Sequence, residues 1–212
     1  MENFYCVLIK KNGDIIHDAF ATSHSDLIHK YIKYNDTLNN NYFKATFSPQ
    51  NKNIRLDVVD NYKLIINETY IPEWFDDYIK NIAISNLKNI INSYIIKGKK
   101  SIILNEGAIL CNNAIVDTVK HSIIFAMYDN AKIKNLDNNS IVVKMTDESV
   151  IEETNDNTKI EEMDGFSTIF CMYDYSKIIT MHGRSVVQCM RDNSRISILK
   201  GDANINNMYE SS

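Results

Sequence analysis

The residues most able to do chemistry lie between Asp147 and Asp164. Asp147, Glu148, Glu152, Glu153, Asp156, Glu161, Glu162 and Asp164 place eight carboxylates in 18 residues, against the single cation Lys159. Two carboxylates held about 5 to 10 Å apart across a groove would suit glycoside hydrolysis. Massed together, such groups imitate nucleic-acid phosphates or grip a basic partner, because a surface field sums over its charges. A solvated, solubilising face accounts for the same residues without any partner. Directly after this belt come Phe166, Phe170, Tyr173 and Tyr175. Outward aromatics in one contiguous patch mark an interface, and Phe125 and Tyr128 are placed to extend it.

Other candidate groups fall away on spacing. His17, His24, His29, His121 and His182 form no HExxH or other metal-ligand pair. His24-Ser25-Asp26 holds the residue types of a triad, but triads are recognised by geometry, and helix capping explains three such neighbours better. Cys6, Cys111, Cys171 and Cys189 lack metal-ligand spacing and read as reduced thiols of a cytoplasmic protein. Six glycines form no phosphate-binding loop. No catalytic residue, cofactor or metal ligand is assigned, and the chain reads as a non-enzyme.

The element that must position these groups runs from Asn113 to Ser211, where eleven nine-residue copies follow one another without an insertion. The first position is small (Ser122, Ala131, Ser140, Ser149 and onward), the third is Ile or Val from Ile115 to Ile205, and the sixth is mostly Met. The eighth is mostly Asp, Asn or Gly. A fixed short period marks stacked units that cannot bury their apolar faces alone. β-branched residues followed by Asp, Asn or Gly predict a short strand and a turn, and Met fills irregular gaps. One copy is too short to circle a core, so two copies make a coil of about 18 residues. The paired glycines of calcium-binding nonapeptide rolls are absent, and turn aspartates need no calcium.

The preceding chain predicts two further regions. Residues 1–71 read as a small α+β module. It holds a hairpin turning at Asn12-Gly13 (Tyr5–Lys10 out, Asp14–Phe20 back) and a helix over 26–34, capped by Ser23 or Ser25. A polar loop over 35–41 precedes strands at 42–47, 54–59 and 62–66. Residues 72–94 read as a helix opening at Pro72, with Trp74, Phe75, Tyr78, Ile79, Ile82, Leu87, Ile90, Ile91 and Tyr94 on its apolar stripe. This helix is expected to cap the solenoid, residues 95–212, because an uncovered terminal coil exposes strand edges. The fold class is thus an α+β N-terminal module followed by a helix-capped parallel β-solenoid. The chain is 44% hydrophobic and 24% charged, as globular proteins are, and no apolar run approaches a membrane span. A net charge of −4 weighs against direct nucleic-acid binding.

The combination of YCVLIKKNGDIIHDAF, SHSDLIHKYIKYND and IPEWFDDY before short tandem repeats resembles uncharacterised proteins encoded by bacteriophages and prophages. Their repeat tails look like the pentapeptide-repeat solenoids, although the period here is nine and the A-D/N-L-x-x signature is absent. These motifs are structural, so no catalytic residue is carried over. The resemblance implies a phage accessory protein in the host cytoplasm, from a group that includes anti-CRISPR-like inhibitors of host defence. Its expected partner is a host nucleic-acid-handling effector with a basic surface, met by the acidic belt or the aromatic patch. The alternatives are an oligomerising module that homodimerises through the aromatics, and a glycan-active solenoid.

Overall fold

The computed structural model describes residues 6–32, 41–51, 54–66 and 68–209. The chain divides into two compact units, Met1–Ser93 and Tyr94–Ser212.

In the first unit Gly13, at φ +83°, turns the chain, and its N–H donates to the Lys10 carbonyl at 2.8 Å. β1 (Cys6–Lys10) is followed by a return strand β2 of only Ile15–Ile16, not Asp14–Phe20. Asp18 ends it early: its carboxylate accepts the Phe20 N–H at 2.8 Å and holds Lys30 and Tyr31 at 2.6 and 2.8 Å. α1 (His24–Tyr31) is capped by Ser23, whose hydroxyl accepts the Asp26 N–H at 3.2 Å. β3 (Tyr42–Pro49) and β4 (Tyr62–Ile66) complete an antiparallel sheet of order β2-β1-β3-β4. The strand expected at 54–59 is instead a turn. Arg55 pairs with Asp57 at 3.0 Å and the Tyr62 hydroxyl donates to the Leu56 carbonyl, folding the segment back on itself. Leu8, Ile9, Leu27, Phe43 and Phe47 fill the core.

α2 (Asp77–Tyr94) begins five residues after Pro72, where the Asp76 carboxylate accepts the Ile79 N–H at 2.9 Å. It buries Ala83, Leu87 and Ile91, whereas Tyr78, expected on the apolar stripe, is 72% exposed. The strand start at Tyr5, the helix end at 33–34 and the polar run 35–40 lie outside the described residues.

The second unit is a parallel β-solenoid of about six turns, each coil giving one strand to each of two seven-stranded sheets. One sheet contains β5 (Ile95–Ile96), β7 (Gly107–Leu110), β9 (Ile123–Met127), β11 (Ile141–Met145), β13 (Lys159–Met163), β15 (Lys177–Met181) and β17 (Arg195–Leu199). The other contains β6 (Lys99–Leu104), β8 (Ile115–Lys120), β10 (Lys132–Asp137), β12 (Val150–Thr154), β14 (Thr168–Met172), β16 (Val186–Met190) and β18 (Asn204–Met208). From β9 onward partners stand 18 residues apart, as in Ile133 on Ile151 on Ile169 on Val187 and Met145 on Met163 on Met181. These ladders are fully buried between the sheets, where apolar burial contributes roughly 25 cal/mol per Å². Small hydroxyl residues close several of the turns: buried Ser140, Ser167 and Ser176 donate to the carbonyl three residues back, each at 2.6 Å.

The early coils are tighter. Ile133 pairs with Val116, Lys99 with Ile115 and Ile95 with Ile109, offsets of 17, 16 and 14. The first copy read in the sequence is therefore one residue out of register. Ala114, Val116 and Val119, all fully buried, take the inward places expected of Asn113, Ile115 and Thr118. Only that shift puts small Ala114 at the tight turn and two valines, rather than Thr118, in the core.

Candidate functional site

Two stacks of turns frame the solenoid, and both depend on left-handed backbone. In one, Asn112, Asp129, Asp147, Gly165, Gly183 and Gly201 have φ between 57° and 70°; in the other, Asn138, Asp156, Asp174 and Asp192 have φ between 53° and 56°. Asp, Asn and Gly tolerate this region because their side chains bond locally or are absent. Each turn aspartate also reaches across the coil. Asp147 accepts the Asp129 N–H at 3.0 Å, Asp156 that of Asn138 at 3.1 Å, and Asp174 that of Asp156 at 3.0 Å. Two members of the acidic belt, Asp147 and Asp156, thus hold coils together. In the first stack glycine replaces aspartate at Gly165, where a Cβ would lie 2.8 Å from the Asp147 nitrogen.

The belt is not one surface. Glu152 and Glu153 stand on β12, in one sheet, and Glu161 and Glu162 on β13, in the other. Residues next to one another in sequence are sent to opposite faces because each coil crosses the core. Nor is it bare. Lys132 pairs with Glu152 from the neighbouring strand, Lys159 with Glu161 at 2.7 Å, and Lys144 with Glu162 at 3.6 Å. Lys132 and Lys144 lie outside the 18-residue window that made the belt look unopposed. Stepping back one coil length from each glutamate would have found Lys144 directly and Lys132 two residues off.

Four carboxylates stay together at one corner. Asp147 and Glu148 occupy the β11–β12 turn, Asp164 the β13–β14 turn stacked on it through the Asp164 N–H to Met145 carbonyl bond of 2.9 Å, and Glu162 the adjoining end of β13. His182, one coil further on, faces two of them: Nε2 lies 3.0 Å from Glu162 and Nδ1 3.2 Å from Asp164. Glu162, Asp164 and His182 are the described residues that could hold a metal ion, with ligand atoms within 4.8 Å of one another. The sequence reading assigned no such group. An 18-residue step from Asp164 to His182 was the available signal. Both ring nitrogens face carboxylates, and Lys144 shares Glu162.

The aromatics are strung along one coil. Phe166 sits in the first turn stack, Phe170 on β14, and Tyr173 and Tyr175 in the second stack, so the outer two are separated by roughly 25 Å of strand and turn. Phe166, Phe170 and Tyr175 are exposed. Phe125 and Tyr128 do not extend them: both are buried, Phe125 against Tyr94 with ring centroids 5.9 Å apart. Arginines cover two of the rings, Arg184 over Phe166 at 5.6 Å and Arg191 over Tyr173 at 5.9 Å. Tyr173 hydrogen-bonds to Cys171, and that bond, followed by burial, pushes its phenol up to about 12. Burial pushes the Cys171 thiol up as well.

Comparison with protein-family models, curated proteins and solved structures finds no match. The chemistry of the site therefore rests on its own geometry. No helix among the described residues is long and apolar enough to cross a membrane.

Proposed function

We propose that the solenoid is a non-enzymatic binding scaffold whose acidic corner engages a basic protein surface. The observation that carries this reading is the placement of Asp147, Glu148, Glu162 and Asp164 on two stacked turns, with Lys144 and His182 as the side chains pairing there. In-register strands hold these groups about 4.8 Å apart from coil to coil, so binding orders little that is not already ordered. Each coil is read as two nine-residue units, which leaves outward residues free to vary while the inward ladders stay fixed. The narrower reading is a phage accessory protein that inhibits a host nucleic-acid-handling or defence effector in the host cytoplasm. It is supported by the resemblance of the sequence alone.

The glycan-active alternative draws no support from the strand glutamates, which are divided between two sheet faces and do not flank one groove. Homodimerisation is the second reading, favoured by Phe166 and Tyr175 at 59% and 58% exposure. Capture of partners from a host lysate by the tagged full chain separates the readings. A basic protein retained by the native chain, lost on Glu148→Lys with Glu162→Lys, and released as salt rises supports the corner. Retention by that double variant with loss on Phe166→Ala and Tyr175→Ala contradicts it.

A further inference from the structure

The C-terminal coils carry the opposite charge. Between 167 and 209 the cations Lys177, Arg184, Arg191, Arg195 and Lys200 stand against Asp174, Asp192 and Asp202. Two of these carboxylates are engaged in the turn stack, Asp174 accepting the Asp156 N–H at 3.0 Å and Asp192 the Asp174 N–H at 3.4 Å. Among the described residues Asp202 pairs with Arg184 alone, at 4.0 Å.

Three cations form a row. Lys159, Lys177 and Arg195 are direct register partners on β13, β15 and β17, at steps of about 4.8 Å. Like charges placed directly opposite one another destabilise a sheet. Lys159 is offset by Glu161 at 2.7 Å. Lys177 and Arg195 have no carboxylate within ion-pairing distance among the described residues. The row begins each strand just after the second turn stack, and aromatic rings line that same rim. Tyr173, Arg191 and Tyr209 succeed one another at 18-residue steps, the Arg191 guanidinium lying 5.9 Å from the first ring centroid and 4.8 Å from the second. Tyr175, two residues before Lys177, is 58% exposed, and Tyr209 is 51% exposed.

We propose that this rim binds single-stranded nucleic acid, with Lys177, Arg191 and Arg195 along the phosphates and Tyr175 and Tyr209 stacked on bases. A cationic track beside aromatic platforms is how proteins hold single strands without reading sequence. A duplex keeps its bases stacked on one another, and an acidic peptide has none, so either leaves the tyrosines unused. The chain's net charge of −4 does not oppose this, because charge is segregated by coil. Arg195 stands two strands, about 10 Å, from the glutamates of β13, beyond a Debye length of about 8 Å.

The test is anisotropy of a short fluorescein-labelled oligothymidylate titrated with the full chain between about 50 and 200 mM salt. Three neutralised phosphates give an expected slope of log K on log salt of about −2. Lys177→Gln with Arg195→Gln should weaken binding about tenfold and flatten that slope. Tyr175→Ala should weaken binding with the slope unchanged, and Tyr175→Phe should restore it. Melting curves confirm that each variant is folded; Glu148→Lys with Glu162→Lys should bind the oligonucleotide no less tightly, which separates this rim from the acidic corner. No saturable binding at the lowest salt overturns the proposal. So does equal affinity for polyglutamate, or insensitivity to Tyr175→Ala, either of which makes the rim a general anion surface.

Discussion

Cys171 and Cys189 face each other in register on adjacent parallel strands, with their thiols hydrogen-bonded. A monosubstituted arsenical condenses with two such thiols, forming two As–S bonds and releasing water. One equivalent of phenylarsine oxide should therefore bind the native chain at this pair, and Cys171→Ser or Cys189→Ser should each abolish it. Cys6, which stands opposite Thr46, and Cys111, whose thiol meets the Ile96 carbonyl, face no second cysteine among the described residues and should stay silent. Uptake that survives both substitutions would separate the two strands and undo the 18-residue register.

Gly165 has φ +68°, and an added Cβ would meet the Asp147 backbone at 2.8 Å; Gly98 has nothing within 4 Å. Gly165→Ala should cost about 1–3 kcal/mol in urea unfolding, while Gly98→Ala should be near neutral. Equal effects would mean that the turn stack does not force glycine there.

Ile178 is fully buried, whereas its neighbour Lys177 points outward. Ile178→Asp places an unpaired charge in the ladder and should prevent folding; Lys177→Ala should change stability by about 0.5 kcal/mol or less. Thr154 makes the complementary case. It is buried between Leu136 and Met172, and its hydroxyl has no partner among the described residues. Thr154→Val keeps the shape and removes the unpaired group, so it should raise stability by about 1 kcal/mol. Circular dichroism melts of the three variants check all of this.

How much of this was legible in the sequence varies along the chain. The inward ladders were legible because Ile160, Ile178 and Ile196 recur at a fixed step and nothing else fits between the sheets. The turn stacks were legible because Asp156, Asp174 and Gly183 occupy left-handed backbone that other residues avoid. The start of the solenoid was not: Ala114 and Val116 take their places through a shorter coil, and a fixed nine-residue frame cannot see a missing residue. The acidic belt misled for a geometric reason. Density along the chain is not density on the surface when Glu153 and Glu161 point from opposite sheets, and Lys144 neutralises Glu162 from one coil away. The same blindness hid the meeting of His182 with Asp164.

The phenol of Tyr173, pushed up to about 12 by its bond to Cys171 and then by burial, carries a pH signature. Its folded value lies above the ordinary 10, so its contribution to stability is complete below pH 10 and is lost as pH rises toward 12. Ultraviolet titration of the phenolate band should show a last-ionising tyrosine that disappears in Tyr173→Phe and moves down in Cys171→Ala. A band unchanged by Cys171→Ala would remove the hydrogen bond as its cause.

The acidic corner is tested most directly by the affinity of a labelled arginine-rich peptide for the full chain at physiological salt. Glu148→Lys with Glu162→Lys should lower that affinity by about tenfold or more, since both charges sit where the field sums. Glu153→Lys, on the sheet face toward the other turn stack, should leave it nearly unchanged because about 8 Å of screening separates the two surfaces. Equal loss in the two variants, or no loss in either, would contradict a working surface at the corner of Asp147, Glu148, Glu162 and Asp164.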